Sequence, residues 1–263
     1  MFCANVYSYR HPRRFVERRV QPRAQANCHG SALMNRIPER LAAVRERIAV
    51  AAAACGRSPA DIRLVAVSKT KPASAVRAAA AAGQTDFGEN YLQDALPKIQ
   101  ALDELSLTWH FIGRLQSNKT AEVSEHFDWV HSLDKLKHAQ RLSRQRPEKR
   151  PPLQVCLQVN LSGERSKGGV TADELPELAT EVAKLPHLWL RGLMTMPDPA
   201  SSPTETRAVF DQLAGLMQDL NRRGLSLDTL SMGMSGDMEQ AVAAGSTMVR
   251  IGTDIFGARA APR

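Results

Sequence analysis

Lys69 directly follows the apolar run Leu64-Val65-Ala66-Val67-Ser68. An amine held at the end of such a run is partly dry. Desolvation favours its neutral form, which is the form that condenses with a carbonyl. The other lysines fall mostly in helical or polar stretches, where ordinary solvation explains them, and a solvated lysine at a strand end is the competing reading of Lys69 itself. Two more stretches carry chemistry: Met232-Gly233-Met234-Ser235-Gly236, just ahead of a short helix, and Arg250-Ile251-Gly252-Thr253. Hydroxyls, glycine N–H groups and a helix N-terminus suit a phosphate dianion. Asp237 opposes that reading unless its carboxylate turns away. Together, the lysine and the two glycine-containing turns point to a phosphorylated carbonyl ligand.

Other chemistries have less support. Cys3, Cys28, Cys55 and Cys156 form no CxxC pair, and no histidines stand at metal-ligand spacing, so free thiols in a reducing compartment are expected. Gly163, Gly168 and Gly169 open no helix after a strand, as a dinucleotide fingerprint requires. The segment LSGERSKGG at 161–169 reads as a solvated loop or a lid. The net charge is +8, but residues 1–35 hold six Arg and one Glu, which leaves +3 on the rest. That is thin ground for a nucleic-acid partner. No apolar run approaches the ~20 residues a membrane span needs.

These residues need elements to position them. Ile37, Leu41, Val44, Ile48 and Cys55 share one helical face, closed by Gly56. Expected strands are 62–68, 85–87, 107–112, 129–132, 153–160, 188–194, 229–232 and 248–251. Helical stretches are expected after Pro72 and at 91–102, 119–126, 135–146, 171–184, 204–223 and 237–244. Eight alternating units in a chain of 263 residues predict an α/β fold: a single (β/α)₈ TIM barrel with an extra N-terminal helix. Catalytic and binding groups of such barrels lie beyond the C-terminal ends of the strands. That rule selects Ser68-Lys69, Gly88-Glu89-Asn90, Gly113-Arg114, Asn160, Thr195-Met196, Ser235-Gly236 and Gly252-Thr253 at one mouth, with Arg250 near the end of the last strand. His110 is expected as a hydrogen-bonded histidine inside a strand. Met194, Met196, Met232 and Met234 are expected to pack the mouth, and Cys156 to be core. Residues 1–33 are Arg-rich, acid-poor and aperiodic, and read as an extension to a barrel of residues 34–263. Either a misassigned start ahead of Met34 or an organelle-targeting segment explains them, and the first is preferred.

At these residues the chain resembles the pyridoxal phosphate homeostasis protein family. The segments that carry the likeness are LVAVSKTKP (64–72), DFGENYLQD (86–94), WHFIGRLQSNK (109–119), LRGLMTM (190–196), MGMSGDMEQA (232–241) and VRIGTDIFG (249–257), within a span from Arg36 to Arg259. The resemblance implies a barrel similar to the N-terminal domain of alanine racemase, with pyridoxal 5′-phosphate at its mouth. It implies that Lys69 forms the imine, that Ser235, Gly252 and Thr253 hold the phosphate with Gly236 in the same loop, that Arg250 faces the pyridine nitrogen, and that Asn90 lies beside the ring. It implies a cytoplasmic carrier that buffers or delivers the cofactor, with apo-enzymes as recipients. The competing class is an enzyme, an amino-acid racemase or a lysine-imine aldolase. A two-base racemase needs a tyrosine from a second domain, whereas the only tyrosines here are Tyr7, Tyr9 and Tyr91. A monomer is expected, because the domain that pairs racemases is missing from the pattern.

Overall fold

The computed structural model describes residues 36–162 and 168–258. The extension at 1–33 and the middle of the 161–169 segment lie outside the described residues. Eight parallel strands close into a barrel in chain order: β1 Arg63–Val67, β2 Asp86–Glu89, β3 Thr108–Phe111, β4 Trp129–Leu133, β5 Leu153–Gln158, β6 Leu188–Met194, β7 Thr229–Ser231 and β8 Met248–Ile251. The seam between β8 and β1 is in register from Arg63 against Met248 to Ala66 against Ile251.

The barrel is lagged by helices α1 Ile37–Ala54, α2 Ala73–Ala81, α3 Leu92–Ala101, α4 Thr120–His126, α5 Leu136–Gln145, α6 Leu175–Ala183, α7 Pro203–Arg222, α8 Met238–Ala243 and α9 Thr253–Phe256. Strand alternation sorts the side chains into two populations. Leu64, Ala66, Phe87, Phe111, Val130, Val155, Leu193 and Val249 join the cluster shared with the helices, while Val65, Trp129, Cys156, Met194 and Met248 form a separate inner cluster. Cys156 is therefore core, as expected, and burial pushes its thiol up to about 12. Met232 packs in the outer cluster and Met194 in the inner one, so neither lines the mouth as expected. Strand alternation turns Met232 toward the helices, Met194 packs within the bore, and of the four only Met196 and Met234, which lie past the strand ends, line the cavity.

The extra helix has a mechanical role. Pro38 and Glu39 suit its first turn, and Ile37, Leu41, Val44 and Ile48 bury one face. It packs on α2, α8 and α9. From it Arg47 reaches Glu239 (2.8 Å), Asp254 (2.5 Å) and the Ser235 carbonyl (3.2 Å). One guanidinium thus ties together the loops that follow β7 and β8.

The barrel interior also sets a pH dependence. Burial lowers the pKa of His110, although the hydrogen bond to Asp86 offsets part of this, and burial drives His131 well below the usual histidine range. Both rings are neutral in the fold, whereas in the unfolded chain they protonate near pH 6.5. Below that value the unfolded chain binds more protons, so stability falls as the pH drops. The slope is about 1.4 kcal/mol per pH unit for each ring that stays neutral. Urea melts taken from pH 7.5 to 5 should show midpoints falling from about pH 6.5 downward. A flat profile over that range would mean that the rings charge freely inside the barrel.

Candidate functional site

One cavity of about 230 Å³ opens at the C-terminal ends of the strands. Its wall contains Val67, Lys69, Lys71, Asn90, Ile112, Met196, Met234, Arg250, Gly252, Thr253 and Gly257. Five of the seven residues expected to hold the cofactor therefore share it: Lys69, Asn90, Arg250, Gly252 and Thr253. Ser235 and Gly236 do not line it. They follow Met234, and Gly236 lines a neighbouring cavity, of which Met234 is also a wall.

Lys69 sits on a turn immediately past β1, half-buried. The next residue, Thr70, has φ 63°, a left-handed conformation that a β-branched residue adopts only at a cost. Lys71 then turns inward, and its Nζ donates to the carbonyls of Gly257 (3.2 Å) and Ala258 (3.0 Å). Beneath the turn lies a buried polar triad. The Ser68 hydroxyl donates to Glu89 Oε1 at 2.6 Å, and Lys98 donates to the same oxygen at 2.6 Å and to the Ser68 carbonyl at 2.8 Å. Burial raises the Glu89 pKa, against the pull of Lys98 and Ser68. The triad ties α3 to the ends of β1 and β2, and so fixes the platform that carries Lys69.

Asn90 extends β2 into the cavity wall. Its Oδ1 is buried and has no partner among the described residues. The chain after β3 crosses directly over it: a Cβ on Gly113 would lie 1.9 Å from the Asn90 carbonyl oxygen, so only glycine fits there.

Arg250 points inward from β8 and is buried. Its Nη1 donates to Ser231 Oγ at 2.6 Å and its Nη2 to the Thr195 carbonyl at 3.1 Å, and it makes no salt bridge among the described residues. Burial lowers its pKa to about 10, so it is still a cation at neutral pH. Gly252 and Thr253 open α9, and a Cβ on Gly252 would already press on the Val67 carbonyl at 3.2 Å. Asp237 raised an objection to an anion here, and its geometry removes it. Its Oδ1 accepts the Met234 N–H at 2.5 Å, and the residue lines the neighbouring cavity instead.

The profile of the family described as alanine racemase, N-terminal domain, matches residues 40–260. The pyridoxal phosphate homeostasis protein of Pseudomonas aeruginosa is 59% identical over 226 residues, spanning 86% of this chain and 97% of its own. The chain belongs to the pyridoxal phosphate homeostasis protein family. The Escherichia coli homeostasis protein is 56% identical over 229 residues, covering 86% of this chain and 98% of that one. Among solved structures, PipY of Synechococcus elongatus with PLP bound superposes with a TM-score of 0.75 at 40% identity, over 84% of this chain and all of PipY. The alanine racemase of Corynebacterium glutamicum, at 19% identity and a TM-score of 0.62, shares the barrel fold over 86% of this chain and 62% of its own.

Sequence reasoning selected Ser68 and Glu89 as strand-end residues but missed Lys71, Arg47, Lys98 and the contact that joins Lys98 to Ser68 and Glu89. Glu89 lies in the DFGEN segment and was legible as a strand-end acid. Lys98, nine residues on in a helix, reads as solvated until the fold turns it inward.

Proposed function

We propose that this chain binds pyridoxal 5′-phosphate in the mouth cavity, holds it as an imine on Lys69, and serves homeostasis of the cofactor without turnover of its own. The observation that carries the reading is that one cavity gathers Lys69, Arg250 and the Gly252–Thr253 turn. The residues fit the group. The Lys69 amine meets the aldehyde, Gly252 and Thr253 offer N–H and hydroxyl donors to the phosphate, and Arg250 faces the pyridine nitrogen. Asn90, with its orphaned oxygen, lies beside the ring. Ser235 and Gly236 complete the phosphate loop from behind Met234. When bound, the cofactor supplies an electrophilic carbonyl joined to an electron-withdrawing ring.

The wall itself argues against turnover. Its titratable groups, among the described residues, are Lys69, Lys71 and Arg250, with no tyrosine, cysteine, histidine or carboxylate. A two-base racemase needs a second acid–base group at the cavity. A cation at the ring nitrogen disfavours its protonation and weakens the ring as an electron sink, which limits the reaction class without excluding an enzyme, so the missing acid–base group carries the argument. Among the described residues no helix is long and apolar enough to cross a membrane, and we place the protein in the cytoplasm as a monomer that hands the cofactor to apo-enzymes.

The test is spectroscopic and kinetic. Purified protein mixed with pyridoxal 5′-phosphate should show imine absorbance near the visible edge that borohydride abolishes, and it should then load an apo-enzyme. Alanine racemization should stay at background. Robust racemization abolished by Lys69→Ala would overturn the carrier reading.

A further inference from the structure

A chain of hydrogen bonds runs through the barrel from Arg250 to the opposite end of the strands. Arg250 Nη1 donates to Ser231 Oγ at 2.6 Å, Ser231 Oγ lies 2.7 Å from His131 Nδ1, His131 Nε2 lies 2.9 Å from His110 Nδ1, and His110 Nε2 lies 2.9 Å from Asp86 Oδ1. The residues come from β8, β7, β4, β3 and the first position of β2. Ser231, His110 and His131 are wholly buried. Trp129 stacks on the His110 ring at 5.6 Å between centroids and 16° between planes, which holds that ring in plane.

The two ends of the chain dictate its protons. A carboxylate can only accept, so His110 carries its proton on Nε2. In a neutral ring Nδ1 is then bare and must accept, so His131 also carries its proton on Nε2. Its bare Nδ1 takes the Ser231 hydroxyl proton, and the Ser231 lone pair takes the N–H of a guanidinium that can only donate. With neutral rings and these partners, every donor meets an acceptor in one arrangement. Asp86 is suited to its end. Burial raises its pKa, but the His110 hydrogen bond, with Thr85 and Arg63, brings it below the usual carboxylate range.

We propose that Asp86, His110, His131 and Ser231 are positioning residues for Arg250, whose orientation at the ring end of the cavity is set by a carboxylate at the far end of the barrel. The inference rests on the proposed placement of Arg250 at the cofactor ring. The chain commits Nη1 to Ser231, Nη2 gives an N–H to the Thr195 carbonyl, and the guanidinium N–H groups not used in these two bonds are left for the cavity. Without Asp86 the direction is no longer imposed, because the Ser231 oxygen can accept from Arg250 and His131 at once.

Two measurements test this. In protein without cofactor, carrying ¹⁵N-histidine, long-range ¹H–¹⁵N spectra at pH 8 should show His110 and His131 neutral, with protonated Nε2 and bare Nδ1. A doubly protonated ring, or an Nδ1–H form at either position, overturns the proposal. In Asp86→Ala the two rings should lose their single tautomer. The absorbance maximum of bound pyridoxal 5′-phosphate should move, and its affinity should fall roughly tenfold, the low end for loss of an outer hydrogen-bond partner. A lower melting temperature with unchanged absorbance and affinity would leave Asp86 a purely structural role and overturn the proposal. If Asp86→Ala does not fold, the histidine spectrum of the wild type decides alone. A wild type that binds no cofactor would instead overturn the functional reading and leave the histidine measurement intact.

Discussion

Lys69→Ala should give a folded protein from which borohydride traps no cofactor. The side chain is half-buried on a turn outside the barrel wall, so its loss removes little packing. The strand end beneath it is held by Ser68, Glu89 and Lys98, none of which uses the Lys69 amine. Lys71 is the natural rival, because it lines the same cavity and burial lowers its pKa. Its Nζ, however, is engaged by two carbonyls at the C-terminal end of α9, and acceptors there favour the charged form over the nucleophile. Peptide mapping after reduction should therefore place the label on Lys69 in the wild type, and nowhere in the variant. A label of undiminished yield on Lys71 would move the attachment and sink the assignment.

The second large effect is on stability. Lys98→Met should destabilise the protein by about 3–5 kcal/mol, because it leaves the Glu89 carboxylate buried with only the Ser68 hydroxyl. In a chain this long, that lowers the melting temperature by roughly 6–20 °C. Adding Glu89→Gln removes the stranded charge, so the double variant should recover a good part of the loss. Urea midpoints for the two variants measure both quantities. A single variant within about 1 kcal/mol of wild type would show that the pair contributes nothing beyond what a methionine replaces.

Most of the barrel was legible because parallel strands buried on both faces read as apolar runs and helices as periodic stripes. The strands at 188–194 and 248–251 form over the residues expected, while 62–68 and 153–160 end earlier, at Val67 and Gln158. There the backbone leaves the sheet to build the mouth, although the side chains keep strand-like character. The four-residue α9 is too short to show a period. Strand-end position placed Lys69, Asn90, Gly252 and Thr253 in the wall, which includes the first residues past β1, β2 and β8, whereas Arg250 lies inside β8 and its role came from the resemblance. It could not separate Thr253, which lines the cavity, from Ser235, which lies one residue beyond the wall. His110 was expected as a hydrogen-bonded strand histidine and is one, but its partner His131 sits on the next strand, 21 positions away. No local pattern announces a contact of that kind, nor the reach of Arg47 from α1 to Asp254 across 207 positions.

Among the described residues, the packed interior makes the barrel a vessel that opens at its mouth. Among the described residues, Val65, Trp129, Cys156, Met194 and Met248 pack the bore together with the histidine chain and form a floor to the cavity. Loading and unloading must share one doorway, and whatever blocks entry also blocks release. A recipient cannot draw the cargo through the rear while a fresh molecule enters at the front. It must either collect what has already escaped into solution or meet the doorway itself, where Met196, 37% exposed, lines the cavity and Tyr91, 56% exposed, follows the wall residue Asn90 in the chain. The two modes differ in one rate: in the first, transfer can never outrun spontaneous escape, and in the second it rises with the concentration of the recipient.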